Sequence, residues 1–195
     1  MNPTNHSLRA ISPSRATILA VSALLVMLIA CPMLTHAKGK AKKQDNKDYV
    51  TVTDFISNDG QTDVADALQD IIDRHPNRTI FFPDGTYCVS HSILTPADPK
   101  KSVHLVLANF ACIKAIGEWP EKEAVIRLGG KDPFNTIYVP GSNYGLTGGI
   151  IDGSNVANGV SIDSGRETRV SGVSIKRTVI GLHVKPGANS NSADA

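Results

Sequence analysis

The stretch DFISNDGQTD, residues 54–63, is the densest group of oxygen-bearing side chains in this sequence. It holds three aspartates, one asparagine and one glycine, residue types that also build calcium loops. An EF-hand loop takes an oxygen ligand at its first position and glycine at its sixth. With Gly60 as that glycine, the first ligand would be Phe55, whose side chain has no oxygen. The sequence therefore excludes an EF-hand here, and we expect the aspartates to cap backbone N–H groups around a turn.

Acidic and basic side chains that could carry catalysis lie in the last quarter of the chain. Asp152 and Asp163 each follow an apolar segment, and two carboxylates on neighbouring segments could act as general acid and base in glycoside hydrolysis. The basic residues that follow could bind an acidic sugar: Lys176, Arg177, His183 and Lys185. Asp152, Asp163, Lys176 and His183 are therefore the catalytic candidates. Their contexts are also typical of turns and of a solvated strand face, so both interpretations stay open.

The remaining histidines and aromatic residues give weaker evidence for a functional site. His75, His91 and His104 lie on separate segments without a shared spacing, and no Cys-x-x-Cys or Cys/His pattern indicates zinc. The sequence therefore predicts no metal site. Trp119 and Tyr144 could stack on sugar rings.

Residues 1–37 have the pattern of a secretory signal peptide. Arg9 and Arg15 precede an apolar run over residues 16–30, and no acidic residue appears before Asp45. The run is short for a membrane span. We therefore expect a secreted, periplasmic or cell-surface protein, with a retained membrane anchor as an alternative.

The sequence predicts two alternative processing sites for this signal peptide. Small residues ending at Ala37 predict cleavage there, whereas LIAC, residues 28–31, would make Cys31 a lipidated N-terminus. The signal holds two of the chain's 20 basic residues and none of its 18 acidic ones, so the rest of the chain is balanced in charge. Nucleic acid is therefore not an expected partner. The KGKAKK run makes residues 38–48 a flexible basic linker.

Cys88 and Cys112 both lie in apolar, strand-like segments. In an exported protein they could form a disulfide. A buried free thiol is equally ordinary in such a segment. The sequence does not decide between a disulfide and two free thiols.

Hydrophobic periodicity predicts one helix followed by many strands. After a strand in YVTVTDF, residues 49–55, apolar residues recur at helical spacing and predict a helix over 63–74, with Thr62 or Asp63 as N-cap and an end at His75, before Pro76. Its apolar positions are Val64, Ala67, Leu68, Ile71 and Ile72. The predicted strands that follow are RTIFF, TYCVS, VHLVL, ACIKAI, AVIRL, NTIYV, GGIID, GVSID, RVSGVSIK and GLHV. This order indicates an all-β fold with an N-terminal helical element.

The last part of the chain repeats itself. GLTGGIID, residues 145–152, aligns with RVSGVSIK, residues 169–176, at an offset of 24. GVSI, residues 159–162, aligns with GLHV, residues 181–184, at an offset of 22. A shared period of this size indicates stacked coils, and a parallel β-solenoid fits better than leucine-rich repeats because regular leucines are missing. A β-sandwich is the alternative.

The segment VTDFISNDGQTDVADALQDIID followed by RTIFFPDGTYCVS resembles the N-terminal signature of the pectate lyase superfamily. The matching residues are Asp54, Phe55, Asp59, Gly60, Thr62, Asp63, Ala67, Phe82, Pro83, Gly85 and Tyr87. One departure is Ile56, where the family usually has glycine or alanine. The match is dense over residues 50–90 and looser to His183.

The resemblance implies a right-handed parallel β-helix over residues 49–195, apparently the N-terminal part of a longer domain, with four or five coils. The helix over residues 63–74 would cover the first coil, and Gly60 would allow the chain to turn. Phe55, Phe81 or Phe82, and Tyr87 would fill the first core layers.

The resemblance also implies a polysaccharide substrate and lyase or glycoside hydrolase chemistry, with calcium only in a full-length lyase. The family's catalytic elements Asn-Thr-Asp, Asp-Asp, Gly-His-Gly and Arg-Ile-Lys are absent from this sequence. We therefore expect an inactive N-terminal fragment of an exported enzyme. The alternatives are a noncatalytic adhesin, carbohydrate-binding or tailspike-like module, and a truncated gene product without a function of its own.

Overall fold

The computed structural model describes residues 48–185 except 97, 99, 122, 130–142, 164 and 166. The signal peptide with Ala37 and Cys31, most of the basic linker and the predicted strand NTIYV lie outside the described residues. Among the residues described, no helix is long and apolar enough to cross a membrane.

The described strands form three sheets in which every neighbouring pair is parallel. Sheet A contains β1 (Tyr49–Thr51), β3 (Arg78–Phe82), β6 (Val103–Leu107), β9 (Gly145–Thr147) and β12 (Arg169–Ser171). Sheet B contains β2 (Asp59–Asp63), β4 (Gly85–Val89), β7 (Ala111–Ala115), β10 (Ile150–Asp152) and β13 (Ser174–Lys176). Sheet C contains β5 (Ile93–Leu94), β8 (Ala124–Leu128), β11 (Asn158–Asp163) and β14 (Leu182–Lys185). The chain visits the sheets in turn and returns, which is the predicted parallel β-helix.

The core lies between the three sheets. Side chains alternate across each strand, so every second residue points inward. Inward side chains of the interior coils are fully buried and apolar, for example Ile80, Leu105, Leu146, Ile113, Ile151, Ile126 and Val160. Each coil therefore adds one apolar layer to a narrow, continuous core.

The strand register confirms both repeat offsets. Gly145 pairs with Arg169 and Ile150 with Ser174, which are 24 residues apart. Val160 pairs with Leu182, and the side chain of Asn158 bonds to the backbone of Ile180, both at a separation of 22. The sequence repeat therefore reports one turn of the solenoid.

The first coil has a helix where later coils have a strand of sheet C. This helix, α1 (Ala65–Arg74), follows β2 directly and precedes β3. It begins later than predicted because Asp63 is the last residue of β2 and pairs with Cys88. Val64, rather than Thr62 or Asp63, occupies the N-cap position, although Asp63 Oδ1 accepts the N–H of Ala65 at 3.0 Å.

Helix α1 covers the end of the core. Val64, Leu68, Ile71 and Ile72 are buried, whereas Ala67 is exposed, contrary to the prediction from spacing. The helix ends at Arg74, with His75 as C-cap, as Pro76 predicts.

The side-chain amide of Gln69 bonds to the backbone of Leu94 in the way that a neighbouring strand would. Its Oε1 accepts the N–H of Leu94 at 2.8 Å, and its Nε2 donates to the carbonyl of Leu94 at 3.0 Å. One side chain therefore satisfies both backbone groups of Leu94 on the edge of sheet C, where an unpaired edge invites strand addition.

The segment after β1 differs from the prediction. Residues Val52–Asp54 form a single 3₁₀ turn, so the strand predicted over residues 49–55 ends at Thr51. The N–H groups of Phe55 and Ile56 both reach the carbonyl of Val52 at 3.0 Å. This turn directs Phe55 outward, 61% exposed, and places Ile56 in the core. The expectation that Phe55 fills the core is wrong, while Phe82 and Tyr87 are fully buried.

Two further strand assignments change. DGQTD forms strand β2 with an irregular register, rather than only a turn, and Gly60 adopts φ +74° within it. RVSGVSIK forms two strands because Gly172, at φ +65°, turns the chain from sheet A to sheet B.

A column of polar contacts joins the corners between sheets A and B. Asn58 Nδ2 donates to the carbonyl of Asp84 at 2.8 Å, and Asp84 Oδ1 accepts the N–H of Phe110 at 2.9 Å, each step spanning 26 residues. Gly85 is required beside it, because a Cβ at that position would lie 2.4 Å from Asn58 Nδ2. The first three coils are thereby locked together at this corner.

Both cysteines of sheet B are free and buried. Cys88 pairs with Lys114 and Cys112 with Thr86, so the two thiols lie diagonally on adjacent strands rather than opposite each other. Burial raises the pKa of both thiols. The disulfide considered from the sequence is not formed.

Candidate functional site

The first cluster of candidate residues surrounds Asp152 at the end of β10. Because Ile151 points into the core, Asp152 points outward. Its register neighbours on the adjacent coils are Lys114 and Lys176. Arg177 follows Lys176 at the corner between sheets B and C. The parallel register therefore brings three basic residues to one carboxylate, and we name these four residues the Asp152 cluster.

Asp152 is held in ion pairs. Its side chain is almost completely buried, at 1% exposure. Arg177 Nε donates to Oδ1 at 2.7 Å and Arg177 Nη2 donates to Oδ2. The ammonium of Lys176 lies 3.7 Å from Oδ2, and the N–H of Ser154 donates to Oδ1 at 3.0 Å. Both oxygens of this carboxylate therefore have at least one partner.

These contacts set the ionisation of Asp152. Burial raises its pKa, but the hydrogen bonds from Arg177 and Ser154 and the charges of Arg177 and Lys176 outweigh burial, so the pKa lies below its ordinary value. A general acid needs a proton near neutral pH and hence a raised pKa. The contacts of Asp152 therefore favour its ionised form, which is the opposite of what a general acid requires.

Arg177 has an unusual backbone conformation. Its φ is +52°, the left-handed region that side-chain-bearing residues rarely adopt. Its carbonyl accepts the N–H of Asn155 at 2.8 Å. The corner therefore holds Arg177 in the position that lets its guanidinium bind Asp152 through two nitrogens.

The second cluster surrounds Asp163 at the end of β11. Asp163 is 4% exposed. Arg127 Nε donates to its Oδ2 at 2.8 Å, the ammonium of Lys185 lies 3.6 Å from Oδ1, and the hydroxyl of Ser161 also donates to Oδ1. We name Glu123, Arg127, Ser161, Asp163 and Lys185 the Asp163 cluster. Like Asp152, Asp163 is neutralised by basic residues on neighbouring coils.

Arg127 also contacts a second carboxylate. Its Nη1 lies 3.5 Å from Glu123 Oε2, which accepts the hydroxyl of Ser92 at 3.0 Å. Arg127 therefore bridges Glu123 and Asp163. This guanidinium fixes both carboxylates as acceptors, which suits binding and positioning rather than proton transfer.

The catalytic candidates from the sequence do not form one centre. Asp152 and Lys176 belong to the Asp152 cluster on sheet B, and Asp163 to the cluster on sheet C. His183 lies on β14 opposite Ser161 and is exposed. His183 therefore lies beside the Asp163 cluster. Among the described residues, no hydrogen bond or ion pair joins it to Asp152 or Asp163.

Residues 49–109 match the family described as "Rhamnogalacturonase A/epimerase, pectate lyase-like". The match covers less than a third of the chain and agrees with the resemblance of residues 50–90 to the pectate lyase superfamily. The matched segment covers β1, α1 and the strands of the next coil, and ends after β6.

Three solved structures are similar in fold to this chain. They are Geobacillus virus E2 ORF18 (25% identity, TM-score 0.56, 67% of this chain and 26% of that chain); PfbA, a surface adhesin of Streptococcus pneumoniae (21%, 0.53, 66% and 33%); and an iota-carrageenase complexed to iota-carrageenan fragments (22%, 0.54, 72% and 33%). The chain spans a third or less of the length of each. No curated protein sequence matches it.

The DFISNDGQTD stretch near the start of the family match binds its own backbone. Asp59 Oδ1 accepts the N–H groups of Gln61 and Thr62, both at 2.8 Å, and Oδ2 accepts the hydroxyl of Thr62. The backbone bonds, first from Thr62 and then from Gln61, hold the pKa of Asp59 well below its usual range. Asp59 thus serves the local fold.

The calcium implied for full-length lyases has no matching donor set in the described coils. In the part of the chain that the structure describes, no three His, Cys, Asp or Glu side chains come together to hold a metal ion. Asp152 and Asp163 contact basic residues instead of further acids. The described coils therefore do not present the oxygen-rich ligand set that calcium binds.

Two aromatic candidates are occupied by the fold. Tyr144 is fully buried and its hydroxyl donates to the carbonyl of Pro96, so its ring cannot stack on a sugar. Trp119 is half-buried against the core, with Nε1 donating to the carbonyl of Ile116 at 2.9 Å. The sugar-stacking prediction is wrong for Tyr144.

The sequence did not single out Lys114, Glu123 and Arg127. Lys114 and Arg127 occupy outward positions of ACIKAI and AVIRL, whose strand assignments are correct. The missing information is the register between coils: long and unequal connections separate these strands from β10 and β11. Aligning the strands themselves, irrespective of offset, would have placed Lys114 beside Asp152.

Proposed function

We propose that this chain is the N-terminal part of an exported β-helix protein that acts on polysaccharide as a lyase or glycoside hydrolase, and that the described coils alone do not catalyse. The observation that carries the second part is the ion pairing of both buried candidate carboxylates, Asp152 with Arg177 and Lys176, and Asp163 with Arg127 and Lys185.

Glycoside hydrolysis needs two carboxyl groups in opposite protonation states beside one bond. Here Asp152 has a lowered pKa, and Asp163 is bound by two basic side chains. Freeing either carboxylate for proton transfer would leave a buried charge without its partner, which is strongly unfavourable. The clusters are therefore built to stay intact.

The last described coil supports a longer domain. Val179 is 90% exposed, and Leu182 and Val184 are about half exposed at the same end. A further coil would bury these side chains as the preceding coils bury theirs. The solved relatives, which are three or more times longer than the part they share with this chain, agree with this proposal.

Export rests on residues 1–37 of the sequence. Mass spectrometry of the protein recovered from an exporting host tests it: we expect a mature chain beginning at Lys38, with a diacylated chain beginning at Cys31 as the alternative. A chain that retains Met1 and stays in the cytoplasm would contradict export.

The catalytic part is tested with the purified protein on polygalacturonate, rhamnogalacturonan and iota-carrageenan. We expect neither unsaturated products, read as ultraviolet absorbance, nor new reducing ends. Turnover that disappears in Asp152→Asn or Asp163→Asn, with the fold unchanged by circular dichroism, would overturn this part and make that aspartate catalytic.

A noncatalytic surface or carbohydrate-binding module is the second candidate. It is favoured by the excess of positive charge in the Asp152 cluster, where Lys176 and Arg177 contact one carboxylate and Lys114 is its register neighbour. The gene sequence beyond codon 195 separates the two candidates. Coils with clustered aspartates, or arginine with aspartate, would favour the enzyme, and coils without them would favour the module.

A further inference from the structure

The two free cysteines of the described chain lie on the same face of sheet B. Side chains alternate along a strand, and the sequence neighbours Tyr87 and Ile113 both point into the apolar core. Cys88 and Cys112 therefore point to the outer side of the sheet, although they are only 1% and 8% exposed. Two thiols thus share one covered position outside the core.

The strand register sets the separation of the two cysteines. Cys88 pairs with Lys114, and Cys112 pairs with Thr86, on the neighbouring strands β4 and β7. The cysteines are therefore one strand apart and offset by two residues along the strand. With about 4.8 Å between strands and about 3.3 Å per residue, their Cα atoms are about 8 Å apart. A disulfide needs Cα atoms within about 6.8 Å, so the register disfavours one.

The same separation suits a metal ion between the two sulfur atoms. Metal–thiolate bonds are about 2.3 Å long, so an ion bound in a line by two thiolates holds its sulfurs about 4.6 Å apart. Rotation about χ1 turns each sulfur towards the other cysteine. Sulfur atoms on Cα atoms about 8 Å apart can therefore reach this spacing without movement of the backbone.

The surroundings of the thiols select the kind of ion. Thiolates favour soft ions such as copper(I) and zinc, but zinc takes four ligands in structural sites. Among the described residues, no group of three His, Cys, Asp or Glu side chains could hold a metal ion. The register partner of Cys88 is Asp63, whose Oδ1 already accepts the N–H groups of Ala65 at 3.0 Å and Ser90 at 3.3 Å. An ion that is satisfied by two sulfur ligands fits this position best.

Lys114 supplies the charge that such a complex needs. Two thiolates and one monovalent cation carry a net charge of minus one, and a covered charge requires a partner. Lys114 lies opposite Cys88 and two residues after Cys112 on the same face of the sheet. Burial raises the pKa of both thiols, and the charge of Lys114 acts on both in the opposite direction. Its ammonium group is therefore near both sulfur atoms.

We propose that Cys88 and Cys112 bind one soft monovalent cation, copper(I) or its analogue silver(I), as a two-coordinate bridge between β4 and β7, with Lys114 balancing the charge. Two metal–sulfur bonds replace two S–H bonds, two protons are released, and no oxidation state changes. The bridge joins the second coil to the third. This site does not depend on the proposed function, because it uses neither Asp152 nor Asp163.

Silver(I) titration of the full chain in chloride-free buffer tests this inference. The chain carries Cys31→Ser, which removes the third cysteine of the sequence. By native mass spectrometry and by thiolate-to-metal absorbance we expect one silver ion per chain. Thermal unfolding should shift to a higher temperature, because the folded state holds both thiols together. Two silver ions per chain, or none, would overturn the bridge.

Substitutions in the Cys31→Ser chain identify the ligands. Cys88→Ala and Cys112→Ala should each weaken silver binding about a hundredfold or more, since the second thiol acts as an intramolecular ligand. Circular dichroism checks their fold, with Cys88→Ser and Cys112→Ser as the second pair of variants. Undiminished affinity in either folded single variant would overturn the two-thiol site.

The role of Lys114 is tested in the same titration. Lys114→Ala should weaken silver binding about tenfold through the loss of a neighbouring charge, and Lys114→Arg should restore it. Lys100→Ala, which removes an exposed lysine elsewhere, is the matched control and should bind like the Cys31→Ser chain. Equal affinities in Lys114→Ala and Lys100→Ala would overturn the charge-balancing role.

Two further measurements test the geometry of the site. Oxidised glutathione should leave Cys88 and Cys112 without a bond to each other, because their Cα atoms are too far apart. A disulfide formed in the folded chain, seen by mass as the loss of two hydrogens, would overturn the register argument. Zinc should bind more weakly than silver(I), and zinc bound equally tightly would overturn the two-coordinate assignment.

Discussion

At its first coil the β-helix is covered by α1, whereas at its last described coil strand edges and apolar side chains face solvent. Leu68 and Ile72 of α1 are fully buried over the core, and Gln69 pairs with the backbone of Leu94. At the other end Val179, Leu182 and Val184 are exposed. A solenoid end is therefore closed by two separate features. An apolar surface must cover the core, and hydrogen-bonding groups must pair with the strand edge.

The largest expected effect is at the covered end. Leu68→Ala should lower the free energy of unfolding by about 2–5 kcal/mol, because it opens a cavity between α1 and the first core layer. Chemical denaturation followed by circular dichroism measures this loss. Asp70→Ala, on the exposed side of α1, is the matched control and should change stability by less than about 0.5 kcal/mol. Similar losses in the two variants would show that α1 does not seal the core.

The next effect isolates the hydrogen bonds of the cap. Gln69→Leu keeps the size of the side chain but leaves the N–H and carbonyl of Leu94 without partners, at a cost of about 1–3 kcal/mol. The stability of Gln69→Glu should lie between those of the natural chain and Gln69→Leu. Glutamate can accept the N–H of Leu94 but, when ionised, cannot donate to its carbonyl. Hydrogen exchange at Leu94 gives the direct readout. An unchanged exchange rate in Gln69→Leu would contradict the strand-replacing role.

A pH-dependent effect is expected at the start of α1. Burial raises the pKa of Asp63, but hydrogen bonds from Ser90 and the backbone of Ala65 outweigh burial, and the net shift is downward. Asp63 therefore binds fewer protons in the folded than in the unfolded state, whose pKa is about 3.9. Its stabilisation is present above that pH and is lost as the pH falls towards the lower folded value.

Asp63→Asn should remove this dependence. Unfolding curves collected between pH 6 and pH 3 should fall less steeply for Asp63→Asn than for the natural chain, while Asp70→Asn should follow the natural chain. Parallel curves for the natural chain and Asp63→Asn would refute the assignment.

The smallest effect on stability is expected at the open end. Leu182→Lys should change the free energy of unfolding by less than about 0.5 kcal/mol, because this side chain is already half exposed. It should, however, reduce self-association, since it places a charge on an exposed strand edge. Sedimentation velocity measures the change. A loss of stability comparable to that of Leu68→Ala would mean that Leu182 is covered in solution.

The sequence predicted most where residues obey a short, regular period. The offsets of 24 and 22 residues are the strand register of the last two coils, and the helical spacing found α1. It predicted less where tertiary contacts decide the conformation. DGQTD has the composition of a turn, yet it forms a strand because β4 offers it a partner. Phe55 and Ile56 are both apolar, and only the 3₁₀ turn decides which one enters the core.

The candidate site shows the same limit. Asp152 and Lys176 were identified separately, and the repeat already aligned the segments that carry them. Lys114 could not be joined to Asp152 in this way, because a long connection interrupts the period between β7 and β10. Charged residues on a solenoid acquire neighbours from register, and register across an irregular coil is set by packing rather than by spacing.

The pairing of Gln69 with Leu94 also makes the two edges of sheet C unequal, because only one of them can accept a further strand. A stack of parallel strands offers donors and acceptors at both of its edges, so coil geometry alone would allow extension from either side. On sheet C the amide of Gln69 occupies one edge, which leaves β14 as the edge that can receive another strand. A chain emerging with its N-terminus first would then complete its closed end once β5 has formed, and each later coil would find a finished template beneath it.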